Sequence, residues 1–305
     1  MPLSGEIELA PGYRLQRPLG NGGFGEVWEA TDPTGARVAL KFVDARNRDP
    51  AMLRSEIRIL RSLRAVDHPN LIRLYDVFAS GHYLVLCMEC ADGNLDELRQ
   101  AYREETGGNI PPEHLLELLE QAAAGLDYLA NFHLDGFNMT GGGLQHCDVK
   151  PTNLLLLGED VKIADFGLCA GMGQRTHRKG LRGTPPFAAP ELYEGRVCSQ
   201  TDQYALAVTW CDLVGGGRMF TKLVARDGSL RPAVDLTKAR ASEALVLARA
   251  AHADPTRRYA NCQTFIAELR KAAKLPDRTT VSRTRAQLPQ ARAAAAAKVA
   301  DKPRG

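Results

Sequence analysis

No stretch of this 305-residue chain is apolar for long enough to cross a bilayer as a helix. A spanning helix needs about 20 consecutive apolar residues, whereas the longest weakly polar run, 204–217, is shorter and carries Asp212. Residues 1–10 contain Glu6 and Glu8 and lack the basic and then apolar regions of a secretory signal, so a cytoplasmic location is expected. Paired cysteines are missing too. The seven cysteines, at 87, 90, 147, 169, 198, 211 and 262, are odd in number and scattered, which argues against a disulfide framework and for reduced thiols. Cys87 and Cys90 have C-x-x-C spacing, but no second pair with metal-ligand spacing follows, and buried thiols are expected.

A strong charge of one sign is also absent, the formal net charge being +3. Residues 276–305 carry seven Lys or Arg against two Asp, so the rest of the chain is at −2 and has no basic groove for nucleic acid. That terminal stretch lacks aromatics for stacking on bases and contains five consecutive alanines at 293–297, so a disordered basic tail is expected. What is present is ordinary for a globular protein: 44% hydrophobic and 25% charged residues, in a length that suits one large or two modest domains.

After an extension at 1–12, short alternating segments read as strands: Tyr13 to Leu15, Val27 to Ala30 and Val38 to Val43, separated by turn signals at 20–25 and 32–35. Met52, Leu53, Ile57, Leu60 and Leu63 then recur at helical spacing opposite Arg54, Arg58 and Arg61. Two further strands, 72–78 and 83–89, complete a small β-rich lobe over 13–90. From 91 to 275 the pattern is helical, with a long helix beginning after Pro111 and Pro112 and others at about 200–214, 241–253 and 262–275. The fold expected is α+β and bilobal, the lobes meeting near residues 90–94.

Chemistry enters at Gly20-Asn-Gly22-Gly-Phe-Gly25-Glu-Val27, a G-x-G-x-x-G-x-V loop between two strands. Backbone without side chains can approach phosphate oxygens and donate its N–H groups. A dinucleotide-binding loop of the same pattern opens a helix; here a strand follows, which favours a hairpin over a nucleotide. Lys41 ends Val38-Ala39-Leu40-Lys41, alternating with apolar residues on a buried strand. An unpaired buried ammonium costs several kcal/mol, roughly, and Glu56 in the following helix can supply its partner.

Further motifs follow in order: His68-Pro69-Asn70, His146-Cys147-Asp148-Val149-Lys150-Pro151-Thr152-Asn153, Asp165-Phe166-Gly167, Gly183-Thr184, Ala189-Pro190-Glu191, and Asp254-Pro255 with Arg258. Over 13–275 the chain thereby resembles the eukaryotic-like, Hanks-type serine/threonine protein kinases of bacteria. The resemblance implies transfer of the γ-phosphate of ATP to Ser/Thr hydroxyls of protein substrates, autophosphorylation included, with Mg²⁺ (or Mn²⁺) as cofactor. It gives Asp148 the orientation of the acceptor hydroxyl and its proton, and gives Lys150 the γ-phosphate. Asn153 and Asp165 would hold the metal ions at opposite ends of a hairpin formed by 154–157 and 161–164. Lys41, paired with Glu56, would touch the α- and β-phosphates. Gly20, Gly22, Gly25, Val27 and Ala39 would surround the nucleotide, Met88 would be the gatekeeper, and the backbone of Glu89 and Cys90 would meet adenine. Glu191 would pair with Arg258, and Asp202 would bind the catalytic-loop backbone.

Three departures stand out. Cys147 replaces the arginine that usually precedes the catalytic aspartate and binds a phosphorylated activation loop, so dependence on Thr176 is expected to be weak. Residues 133–144, with glycines at 141–143, are longer than the usual connection, and 215–240 look reduced where such kinases carry a docking helix. The rival reading is an inactive ATP-binding pseudokinase scaffold. Its mark would be loss of Lys41, Asp148, Asn153 or Asp165, and all four are present.

Overall fold

A computed structural model describes residues 12–22, 25–46, 48–132, 143–172, 183–215, 220–224 and 230–275. Thr176, residues 133–142 of the long connection, residues 216–219 and 225–229, and the 276–305 tail lie outside the described residues. The chain divides into two compact units, Met1–Ala91 and Asp92–Gly305.

The first unit is an antiparallel sheet of β1 (Arg14–Gly22), β2 (Gly25–Thr31), β3 (Arg37–Asp44), β4 (Leu74–Ser80) and β5 (Tyr83–Glu89), in the order β1-β2-β3-β5-β4, with the helix α1 (Pro50–Leu63) between β3 and β4 in sequence. The period-2 alternation of strands sends Trp28, Ala30, Val38, Leu40, Phe42, Val85 and Cys87 into one cluster, against which Tyr13, Leu15, Phe78 and Tyr83 pack. Leu40 and Phe42 are fully buried, each contributing about 1.5–3 kcal/mol by its burial. Ala39, Lys41, Leu86 and Met88 occupy the alternate positions of the same strands and are buried as well. On α1, Leu60 and Leu63 of the expected stripe are buried together with Ile59, Leu53 and Ile57 are half-buried, and Arg54, Arg58 and Arg61 are exposed.

The second unit begins with β6 (Gly93–Asn94) and α2 (Leu95–Thr106), a helix the motif reading overlooked. Its signal is a capping box: the Asn94 side chain accepts from the amides of Asp96 and Glu97, and the Glu97 carboxylate accepts from the Asn94 amide. Gly107, with φ of 70°, stops it. The long helix α3 (Pro112–Ala130) follows, burying Leu115, Leu116, Leu119, Ala123, Leu126 and Leu129 as the sequence implies. Then come β7 (Leu144–Gln145), the hairpin β8 (Leu154–Leu157) and β9 (Asp160–Ile163), β10 (Ala170–Gly171) and the short α4 (Pro190–Tyr193).

The centre of the second unit is α5 (Thr201–Gly215), in which every residue from Thr201 to Leu213 is buried. A helix buried on all sides is a core element rather than an amphipathic cover. After it in sequence, β11 (Phe220–Val224) and β12 (Leu230–Val234) pair as an antiparallel hairpin. The described part of the stretch that looked reduced in the sequence therefore consists of this hairpin followed by a short 3-10 turn, Leu236–Lys238. The unit closes with α6 (Ala241–Ala250) and α7 (Cys262–Ala272). The Asp127 carboxylate of α3 accepts the amides of Cys262 and Gln263 at 2.8 and 2.9 Å, fixing the start of α7 against α3.

Candidate active site

Asp148 is the most heavily ligated carboxylate of the second unit's central loop, its side chain 1% exposed. Its Oδ2 accepts from Lys150 Nζ at 2.8 Å and from Asn153 Nδ2 at 3.0 Å, and its Oδ1 accepts the amide and hydroxyl of Thr184 at 2.9 and 2.7 Å. Lys150 Nζ also donates to Thr184 Oγ1 at 2.7 Å, so that hydroxyl links cation and carboxylate. Charge-assisted bonds of this kind are roughly twice as strong as neutral ones.

The loop that carries Asp148 is held from behind. Asp202, at the start of α5, accepts the amides of His146 and Cys147 at 2.6 and 2.8 Å, as the family resemblance implied. Burial raises the Asp202 pKa, while His146 and the two amides pull against that rise. Gln145 closes the clamp, its Oε1 accepting the Asp202 amide at 3.1 Å. His146 Nδ1 accepts the Asp148 amide, so the ring proton sits on Nε2 and is donated to the Ala164 carbonyl at 2.9 Å. Its ring meets Phe166 edge-on.

This clamp holds Cys147 at φ of 65°, a left-handed conformation that costs a residue with a Cβ on the order of 1–3 kcal/mol. The side chain is buried beside Leu168, Ala170 and Ala188, and its thiol donates to the Gln145 carbonyl at 3.5 Å. It is therefore a small core residue. Gly183 presses on the same backbone: its φ is 102°, and a Cβ there would stand 2.6 Å from the Cys147 carbonyl oxygen. Only glycine lets Thr184 reach Asp148 by this route. Gln145 and Gly183 went unremarked as positioning residues in the sequence, where Gly183 was visible only as half of a motif.

Asn153 and Asp165 flank the β8–β9 hairpin. Its register pairs Leu154 with Ile163, and the Ala164 amide donates to the Asn153 carbonyl at 3.0 Å. The two residues consequently emerge side by side at the open end of the hairpin, not at opposite ends, because antiparallel pairing joins its two flanks. Asp165 has φ of 70°. The Asn153 amide nitrogen is committed to the Asp148 carbonyl and carboxylate, which leaves Oδ1 as the atom available to a cation. Among the described residues no group of three or more His, Cys, Asp or Glu could hold a metal unaided. The donor set at 153 and 165 fits a hard cation completed by water and phosphate oxygens.

In the first unit, Gly20 pairs with Val27 and Gly22 with Gly25 across the β1–β2 turn. Gly25 has φ of 127°, and a Cβ there would lie 2.1 Å from the Phe42 carbonyl oxygen, whereas open space surrounds the Cβ position of Gly20. Lys41 is 8% exposed on β3, opposite Val27 and Leu86. Ala39 is paired with Met88, also buried. Glu56 on α1 accepts an ion pair from Arg48 at 2.7 Å, a partner the sequence did not suggest. The Glu89 amide donates to the Arg73 carbonyl at 2.9 Å, so that N–H is not the group adenine would meet, and the Cys90 carbonyl accepts from Arg37 at 3.4 Å.

At the base of the second unit, Glu191 and Arg258 form the expected pair, bidentate at 2.7 and 2.8 Å with side chains 1% and 0% exposed.

The Asp148 carboxylate, held by a lysine, an asparagine and a threonine, is thus the centre of the candidate site. The family model for the protein kinase domain matches residues 13–282, and the chain belongs to that family. It is 32% identical over 239 residues to the serine/threonine-protein kinase PknA of Mycobacterium tuberculosis, covering 75% of this chain and 51% of PknA. It is 30% identical over 197 residues to a probable myosin light chain kinase of Dictyostelium discoideum, 63% of this chain and 57% of the relative. The crystal structure of the M. tuberculosis PknI kinase domain aligns with a TM-score of 0.67 at 27% identity, over 89% of this chain and all of that one. The chain spans about half the length of the curated relatives it matches. No helix among the described residues is long and apolar enough to cross a membrane.

Proposed function

We propose that this protein is an ATP-dependent serine/threonine protein kinase, with a catalytic domain running from 13 to 275. The observation that carries the reading is the Asp148 carboxylate surrounded by Lys150, Asn153 and Thr184 at 2.7–3.0 Å. Bound magnesium ATP supplies the phosphoryl group and the cationic charge that offsets its oxygens. Asp148 accepts the proton of the attacking hydroxyl; the Thr184 hydroxyl, donating to Oδ1 at 2.7 Å, displays the geometry such a donor takes there. Lys150 lies within reach of the same carboxylate and offers its remaining donors to developing charge on the transferred group. Asn153 Oδ1 and Asp165 provide hard oxygens for the metal. Lys41 contacts the α- and β-phosphates, with Glu56 as its positioning residue. Gly20, Gly22, Gly25, Val27, Ala39, Met88, Glu89 and Cys90 receive the nucleotide. The acceptors are Ser or Thr of proteins, a class consistent with Lys150, Thr184 and the relatives' names. Because Cys147 provides no guanidinium, activity is expected to depend little on Thr176.

The test is incubation of the chain with labelled ATP and magnesium, wild type against Asp148→Asn, followed by mass spectrometry. Phosphoserine or phosphothreonine from the wild type alone supports the kinase. ATP binding with no transfer by either form, to generic or self substrates, would mean a scaffold.

A further inference from the structure

On the second unit, remote in sequence from Asp148, the end of α6 and the turn after it enclose a surface depression of about 500 Å³ lined by Ala248, Arg249, His252, Thr256, Arg257 and Arg258. Arg258 forms its floor and is spent on Glu191, Gln200 and the His252 carbonyl. Arg249 and Arg257 are different. Both are exposed, and among the described residues neither is in an ion pair. The Arg249 guanidinium rests 4.1 Å from the centre of the Tyr259 ring, so its charge is held in place before any ligand arrives. Asp254, the one acidic neighbour of Arg257 among the described residues, spends its Oδ1 on the amide and hydroxyl of Thr256 and is also attracted by Arg257 and His252, so a single carboxylate stands against the two guanidinium groups.

The same face of α6 carries Leu245, 84% exposed, one turn before Arg249. An isolated exposed leucine needs no explanation, but here it adjoins a concave cationic site. At 1.5 Å per residue, Leu245 and Arg249 are about 6 Å apart along the helix, close to the roughly 6.6 Å between alternate residues of an extended peptide.

We propose that this surface docks an acidic, extended peptide segment of a partner protein, its carboxylates meeting Arg249 and Arg257 while an apolar residue covers Leu245. Charge selects the occupant. The chain's own tail is basic, seven Lys or Arg against two Asp over 276–305, and is repelled from the site.

A fluorescein-labelled peptide of Glu-Ser-Leu-Ser repeats, which sets glutamate and leucine at alternate positions on one face of the extended chain, titrated with the whole chain and read by fluorescence anisotropy, tests this without ATP. Failure here therefore leaves the kinase reading untouched. Saturable binding is expected, weakened about tenfold by Arg257→Glu and weakened also by Leu245→Ser. Phosphorylation of a short generic peptide should be unchanged in Arg257→Glu. Arg249→Glu should abolish binding; since it also removes the Tyr259 stacking, the two other variants, at exposed positions without such contacts, decide the matter alone. The proposal is overturned by absence of saturable binding, by equal affinity for a lysine–leucine peptide, by Arg257→Glu and Leu245→Ser binding as tightly as wild type, or by preference for phosphatidylserine vesicles over the peptide.

Discussion

Asp148 and Glu191 are both buried carboxylates of the second unit, satisfied by a cation and a threonine hydroxyl, yet their surroundings differ in one respect. Around Asp148 three of the four donors are ends of side chains, the fourth being the Thr184 amide, and Lys150 remains 17% exposed, so a substrate hydroxyl can replace one side-chain bond without unfolding anything. Glu191 has Arg258 in a bidentate fork at 0% exposure, with Thr201 as a further donor at 2.9 Å, and nothing can enter. The first arrangement is exchangeable and suits chemistry. The second is permanent and joins α4 to the turn before α7. Removing a group from the first should cost activity, and from the second, stability.

The sharpest way to break that contrast is Asp148→Asn, expected to lower kcat/KM by about 10² to 10⁴ while leaving the thermal midpoint unchanged in a calorimetric scan. A large drop in Tm would place Asp148 with Glu191. Arg258→Ala should strand a buried carboxylate and destabilise by about 3–5 kcal/mol in urea unfolding, whatever activity remains per folded molecule. Thr184→Val keeps the shape and deletes the hydroxyl that links Lys150 to Asp148. A fall of about tenfold in kcat/KM, the equivalent of one hydrogen bond, with unchanged Tm is expected. Smallest is Cys147→Gly: relief of the left-handed backbone offsets the lost thiol packing, and stability should move by less than about 1 kcal/mol. As a companion measurement, alkylation of the native protein should label Cys198, the only half-buried thiol among seven, before Cys147. Early labelling of Cys147 would reopen a redox role for it.

Much of the candidate site was legible because the phosphoryl transfer proposed for it would demand particular residue types at short, fixed intervals. Asp148, Lys150 and Asn153 lie within six residues, and Glu191, Asp202 and Arg258 kept the partners their motifs implied. Less legible was what depends on segments meeting. The hairpin flanks of Asn153 and Asp165 converge because Leu154 pairs with Ile163. Arg48 beside Glu56 and Gly183 beneath Cys147 have no local signature, since each arises where chain turns bring unrelated stretches within 3 Å. The helix α2 was readable from Asn94 and Glu97, and only a search for caps would have found it.

The sequence alone determined the class of fold and the class of chemistry, because periodicity and motif spacing are local properties that a single helix, strand or turn must satisfy. Tertiary structure decided the rest. It made Thr184, 36 residues away, a direct ligand of Asp148, turned Cys147 into a strained core residue through two bonds from Asp202, and gathered Leu245, Arg249 and Arg257 on one surface. Those outcomes depend on long-range packing and on burial that leaves few polar groups without a partner, conditions that no window of sequence contains.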